Sequence, residues 1–327
     1  MSNPFPATEL RDSLIRFRPG RVLVYGDILL DDYLFGRADR LSPEKPVPVV
    51  AYERRERMLG GAGNVARNLH ALGCEPVLVG FLGDDDAGRE CQAQLRASGL
   101  TTDGLVVEPG RSTPRKLRVH AGQHALLRID YEDPEGATQR GYAALRAALA
   151  RLAPGCDAAI ISDYRKGAVT AEGVAALRAA IGDAPLVADP KGGDAGRYRG
   201  ATHLLPNERE LADLLGGAWD DAGAEALRER LALEALVLTR SERGLRLYDG
   251  GPPRDIPARA RQVFDVTGAG DTFAAVFTAA LAAGRSTELA ARLANVAAGI
   301  VVGKVGTGIV TRAELEADVA RPLTAPS

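Results

Sequence analysis

Cysteine, aromatic residues and lysine are all scarce in this 327-residue sequence, and neither sign of charge prevails. The three cysteines, Cys74, Cys91 and Cys156, are odd in number, widely spaced and form no C-x-x-C pair. They offer no disulfide framework and no zinc spacing, and they suit a reducing cytosol. Lys+Arg number 41 against 43 Asp+Glu, a formal charge of −2. That balance removes bulk attraction to nucleic acid or to an anionic membrane. Long apolar runs are missing too: the greasiest, Phe273 to Ala283, is about half the ~20 residues that a bilayer span needs. The opening MSNPFPATELRDSLIRF carries charges where a signal peptide would have its apolar core. The expectation is a cytoplasmic protein with no membrane and no nucleic-acid partner.

What is present is ordinary globular composition, 46% apolar and 26% charged, which excludes disordered and fibrous classes. Only five of the 41 basic residues are lysines: Lys45, Lys116, Lys166, Lys191 and Lys304. Against so strong an arginine bias, a lysine position carries some information.

Short apolar runs alternate with helical patterns. Val22–Tyr25, Pro76–Leu82, Ala158–Ser162, Leu186–Asp189, His203–Leu205 and Leu236–Thr239 read as continuous apolar strands, the mark of a parallel sheet buried on both faces. Asn64–Leu72, Gly141–Leu152, Thr287–Gly299 and Thr311–Val319 read as helices. This alternation predicts an open, doubly wound α/β sheet, and no linker divides the chain, so residues 1–327 are taken as one domain. Two segments break the rhythm. Pro46–Tyr52 holds two prolines, which suits an edge strand, and the runs on either side of Ala121-Gly122-Gln123 suggest a hairpin. Neither has a helix of its own, so both are assigned to a small β-flap of about 36–58 and 112–131; an extension of the main sheet's edge stays open.

The chemistry concentrates in Asp265-Val266-Thr267-Gly268-Ala269-Gly270-Asp271-Thr272, directly before the apolar helical run. Glycines at a helix start let backbone N–H groups meet an anion. Asp271, in the first turn behind that cradle, can take a proton from a hydroxyl while the cradle holds developing phosphoryl charge. Alone it would read as an acid complementing the helix dipole. In register with Asp265, Thr267 and both glycines, the catalytic reading prevails.

At these residues the sequence resembles the ribokinase-like (PfkB) sugar kinases, whose carboxy-terminal signature D-V-T-G-A-G-D-T it matches in full. The resemblance implies a ribokinase-like, doubly wound, mostly parallel sheet flanked by helices, with a small β-flap as lid. It implies Asp271 as catalytic base and the N–H groups of Gly268, Ala269 and Gly270 as anion hole. It places Asp265 and Thr267 near the nucleotide phosphates and a monovalent cation such as K⁺. Leu59-Gly60-Gly61-Ala62-Gly63-Asn64-Val65-Ala66 resembles the other signature, with Gly60, Gly61 and Asn64 facing the sugar. Asp27 and Asp31, after the first strand, stand where open α/β sheets bind ligands and suit sugar hydroxyls; solvated loop acids are the bland alternative. Asn207-Glu208-Arg209-Glu210 matches the N-x-x-E motif, which implies ATP with Mg²⁺ held at Asn207 and Glu210 largely through water. A capping acid is the alternative for Glu210. Thr239, Ser241 and Gly244 fall in a loop that contacts the nucleotide in this family, and Gly303 to Thr307 would surround adenine.

Narrower strings look like the D-glycero-D-manno-heptose 7-phosphate kinases within this family: Asp39–Val50, Leu127–Asp130, Ser162–Gly167 and Asp189–Gly192. Those enzymes phosphorylate the anomeric hydroxyl of a heptose phosphate on the way to the ADP-heptose of lipopolysaccharide core. A phosphorylated sugar needs basic anchors, and Lys116, Arg118, Lys166 and Lys191 lie in the right loops, with Lys191 expected nearest the transferred group. Asp163 joins the substrate set. Another phosphosugar kinase, of fructose- or tagatose-phosphate type, shares every catalytic motif, and a non-catalytic sugar-phosphate sensor would share the fold. Gly26-Asp27-Ile28-Leu29-Leu30-Asp31 lacks the G-x-G-x-x-G of a dinucleotide enzyme. The four histidines form no H-x-G-H, so the adenylyltransferase fused to many relatives is not expected. Homodimerisation through the apolar flap is expected.

Overall fold

The computed structural model describes residues 10, 20–122, 124–132, 136–259, 266–304 and 308–320. Its backbone of seven parallel strands grows from the apolar runs. β1 (Arg21–Gly26), β4 (Glu75–Gly83), β5 (Gly104–Glu108), β8 (Ala158–Ser162), β9 (Leu186–Asp189), β10 (His203–Leu204) and β11 (Ala235–Thr239) run parallel. The antiparallel pair β12 (Leu245–Tyr248) and β13 (Arg254–Ile256) completes one edge, giving the order β13-β12-β11-β10-β9-β8-β1-β4-β5.

Period-two alternation sends successive side chains of each strand into separate cores. Val22 and Val24 of β1 meet α1 (Ala62–Ala71), α2 (Asp86–Ala97), α7 (Ala269–Ala282) and α8 (Thr287–Val301). Leu23 and Tyr25 meet the opposite layer, α3 (Gln139–Leu152), α4 (Ala171–Ile181), α5 (Glu208–Leu215) and α6 (Asp221–Leu231). α9 (Arg312–Val319) packs on α8. No helix among the described residues is long and apolar enough to cross a membrane.

A second sheet, of order β3-β2-β6-β7, leaves the main one abruptly. Only Asp27 separates β1 from β2 (Ile28–Leu41), which pairs with β3 (Pro48–Gly61) and with β6 (Arg115–Ala121); β7 (His124–Tyr131) closes the other side. The sheet therefore begins well before residue 36, because Ile28, Leu29 and Leu30 are buried and already paired. The two prolines flank the start of β3, an edge strand, where a missing N–H costs no ladder bond. The register sets Asp31 beside Lys116 and Tyr33 beside Arg118 on one face. Leu127, Ile129 and Tyr131 alternate with these on β7 and stay exposed.

The chain runs outward from β1 to β4 and β5, then returns to place β8 on the other side of β1. The carboxyl ends of β1 and β8 are thus neighbours at a switch point, the crevice in which open α/β sheets bind ligands.

Candidate active site

At the switch point, Gly26 pairs with Ser162 so closely that a Cβ would stand 2.1 Å from the Ser162 carbonyl oxygen. The carboxylate of Asp27 then accepts from the backbone N–H groups of Tyr164 (2.8 Å), Lys166 (3.0 Å) and Ala168 (2.9 Å). Both oxygens are engaged and the residue is buried, so Asp27 ties down the 163–168 loop. Asp163 is buried and hydrogen-bonded as well. It accepts from the Arg165 N–H (2.7 Å), the Tyr198 hydroxyl (2.8 Å) and the Arg197 guanidinium (3.1 Å).

That loop delivers Tyr164 to the catalytic candidate. The Tyr164 hydroxyl donates to Oδ1 of Asp271 at 2.6 Å, and the Asn64 amide donates to Oδ2 at 2.9 Å. Asn64 comes from the first turn of α1 and Asp271 from the first turn of α7, so two helix starts meet here. Asn68, one turn after Asn64, accepts from the Thr272 hydroxyl (3.2 Å) and fixes the two helices in register. Asp271 is 3% exposed, and burial pushes its pKa up to about 6 against the two donors that favour its charge. Sequence reasoning gave Asn64 to the sugar; the structure turns its amide onto the carboxylate. Tyr164 was missed, although it stands inside the Ser162–Gly167 string.

α7 opens on Gly268, whose φ of +79° is a left-handed cap, and Gly270 has open space where a Cβ would be. The Ala269 N–H donates to the Val266 carbonyl (3.2 Å) in the turn before the helix. The N–H groups of Gly270 and Asp271, in the first turn, have no intrahelical acceptor. Thr267 lies half-buried just before the cap. Asp265, and Val305 to Thr307 of the expected adenine stretch, fall outside the described residues.

On the side of the second sheet, Gly60 lies against Asp31, with 2.4 Å from an added Cβ to Oδ2. Gly61, at φ +56°, makes the strand-to-helix turn over the Asp27 carbonyl. These glycines give room to β2 itself. Asp31 is buried and paired through Oδ1 with Arg118 at 2.5 Å. Lys166 pairs with Glu132 at 2.5 Å. The Lys116 ammonium lies 5.4 Å from the centre of the Tyr164 ring, and burial lowers its pKa.

The other flank is a cleft lined by Asp189, Lys191, Asn207, Glu210, Thr239 and Gly270. Here the capping alternative is realised: the Asn207 side chain accepts from the Glu210 N–H (2.9 Å), and Glu210 Oε2 accepts from the Asn207 N–H (3.0 Å). Glu210 Oε1 meets Lys191 Nζ at 3.0 Å. No group of three or more His, Cys, Asp or Glu among the described residues is arranged to hold a metal directly. This oxygen-rich lining does fit a divalent cation that keeps its waters. Glu208 pairs with Arg243 at 2.5 Å, and Arg209 is exposed. Thr239 faces the cleft. Ser241 and Gly244 shape the turn beyond it, where the Arg240 N–H donates to the Gly244 carbonyl at 2.8 Å.

A deep switch-point crevice, a glycine-capped helix start and a buried carboxylate are the parts of a phosphoryl-transfer enzyme. Comparison with known proteins makes the class definite. The pfkB family of carbohydrate kinases matches residues 20–313, and the chain belongs to that family. Kinases of this family use ATP and a divalent metal. The Bordetella bronchiseptica protein named D-beta-D-heptose 7-phosphate kinase is 45% identical over 308 residues, covering 92% of this chain and 96% of the relative. The Caulobacter vibrioides bifunctional protein HldE is 46% identical over 90% of this chain; the chain spans only 62% of that relative. Arabidopsis thaliana ribokinase shares the ribokinase-like fold at a TM-score of 0.72 and 20% identity, covering 93% of this chain and all of that one.

Proposed function

We propose that this chain transfers the γ-phosphoryl group of ATP to the anomeric (C1) hydroxyl of D-glycero-D-manno-heptose 7-phosphate, giving the 1,7-bisphosphate. The observation that carries the reading is Asp271, a buried carboxylate with a pKa near 6 at a helix start that opens on the cleft. It is ionised at neutral pH and basic enough to take a hydroxyl proton. The sugar O–H bond breaks toward Asp271 as its oxygen bonds to the γ-phosphorus, and the bond to the β-phosphate oxygen breaks to release ADP. The N–H groups opening α7 and the Lys191 ammonium face the charge spread over the transferred group. Magnesium, when bound, neutralises charge on the ATP phosphates; Asn207 and Glu210 are the residues offered to its waters, and a K⁺ site belongs near Asp265 and Thr267.

The choice of heptose phosphate is supported by the name of the Bordetella relative and its near-complete alignment. Lys116 and Arg118, on the face of the second sheet nearest Tyr164 and Asp31, are the anchors offered to the substrate's own phosphate. The exposed Leu127, Ile129, Tyr131, Leu41, Val47 and Tyr52 support a homodimer closed through that sheet. A substrate panel read as ADP release tests the reading. Heptose 7-phosphate is expected to be preferred; preference for fructose or tagatose phosphate moves the substrate within the family, and binding without ADP release makes the protein a sensor.

A further inference from the structure

We propose that Tyr164 is the positioning residue of the base: its phenol holds the Asp271 carboxylate in the ionised, proton-accepting form and orients it. The proposal rests on the reading of Asp271 as proton acceptor and adds to it the group that governs that acceptor.

The geometry is specific. A 2.6 Å bond joins the Tyr164 hydroxyl to Oδ1, and the loop carrying Tyr164 cannot drift. Asp27 pins its backbone at three N–H groups, the Arg111 guanidinium donates to the Lys166 carbonyl, and the Tyr142 hydroxyl donates to the Gly167 carbonyl at 2.9 Å. Two ammonium groups flank the ring, Lys116 at 5.4 Å and Lys191 at 5.8 Å from its centre, an arrangement that favours an electron-rich aromatic face. One comes from the second sheet and the other from the cleft, so Tyr164 stands between them.

The charged groups around Asp271 leave this task to neutral donors. Asp31 on β2 opposes its ionisation and Lys116 on β6 favours it, while burial raises the carboxyl of Asp189, at the end of β9, well above the ordinary value. Asn64 and Tyr164 supply the remaining support, one bond to each oxygen. A carboxylate has about four acceptor positions, so a sugar hydroxyl still finds one. Tyr164 itself does not exchange the proton: burial and the neighbouring carboxylate raise its phenol well above the ordinary tyrosine value. It therefore remains a donor throughout the working range.

Tyr164→Phe keeps the ring and removes the bond. A hydrogen bond to a charged group corresponds to about one to two pH units, so the acid limb of kcat/KM should move up by that amount, with kcat largely restored at high pH. A uniform loss across pH, or an unmoved limb, overturns the proposal. Carboxyl ¹³C titration of Asp271, assigned by its disappearance in Asp271→Asn, reads the same shift without substrate. Full activity in Asp271→Asn would end the base reading, while the ¹³C titration still decides whether Tyr164 governs the carboxylate. If Tyr164→Phe fails to fold, 3-fluorotyrosine at position 164, a stronger donor of nearly the same shape, should lower the limb; no shift there overturns the proposal as well.

Discussion

Asn64 donates a hydrogen bond to Asp271 across 207 residues of sequence, and the bond joins the two family signatures side chain to side chain. One signature does not merely face a sugar while the other faces a nucleotide. The amino-terminal motif holds the buried carboxylate of the carboxy-terminal one. The first predicted consequence concerns that carboxylate. Asp271→Asn should reduce kcat by about 10²–10⁴-fold, the ordinary worth of a general base, with ATP affinity nearly unchanged by calorimetry.

The same substitution should change the pH dependence of stability. The folded-state pKa of Asp271 is about 6 against 3.8 in the unfolded chain, so folding binds a proton between those values. The stability this group contributes is complete below about pH 3.8 and is lost as pH rises through 6. The difference in Tm between Asp271→Asn and the parent should therefore shift in the variant's favour from pH 4 to pH 8. About two pKa units set its ceiling at roughly 3 kcal/mol. A difference that stays constant with pH would contradict the raised pKa.

Lys116 and Lys191 should separate kinetically. Lys116→Gln should raise the KM for the phosphosugar about 10- to 100-fold, the worth of one charge-assisted hydrogen bond, and leave the KM for ATP in place. Lys191→Gln should act on kcat and the ATP side, since its ammonium meets Glu210 at the cleft. Steady-state kinetics with each substrate varied in turn would show the opposite pattern if the anchors were exchanged.

Asn207→Ala should destabilise the protein by about 1 kcal/mol, because it removes the side-chain half of the α5 capping box. It should also raise the divalent-ion concentration needed for half-maximal activity. Urea unfolding measures the first effect and a metal titration of activity the second. A stability loss with no change in metal dependence would make Asn207 a cap alone.

Leu127→Glu places a charge on the exposed apolar face of β7 without touching the cleft. Light scattering should show a dimer for the parent and a monomer for the variant. A parent that is already monomeric removes the homodimer from the account.

The main strands were legible because a strand buried on both faces must be continuously apolar; Ala158–Ser162 and Leu186–Asp189 lie where the runs stand. α7 was legible from the glycines before it. Residues that work through distant backbone were not. Asp27 and Asp163 follow strand ends, as ligand-binding acids do, yet Asp27 accepts from N–H groups of a loop some 140 residues away, and Asp163 from Arg165, Arg197 and Tyr198. Tyr164 was hidden for the reverse reason: its partner lies 107 residues further on, and no local pattern announces a phenol aimed at a carboxylate. The base of β2 lies before the flap expected from about residue 36; there Arg118 and Arg55, from the neighbouring strands, neutralise Asp31 and Asp32.

The single residue between β1 and β2 gives the molecule a fulcrum. The Asp27 N–H donates to Ser162, its carbonyl accepts from the Ala62 N–H, and its carboxylate grips the Tyr164 loop. The second sheet leaves the main one at that residue. Lys116 and Arg118 belong to the second sheet, while Asp271 belongs to a helix packed on the main one. The residue that turns the chain into the cationic sheet is therefore also the one that seats the loop holding the Asp271 carboxylate.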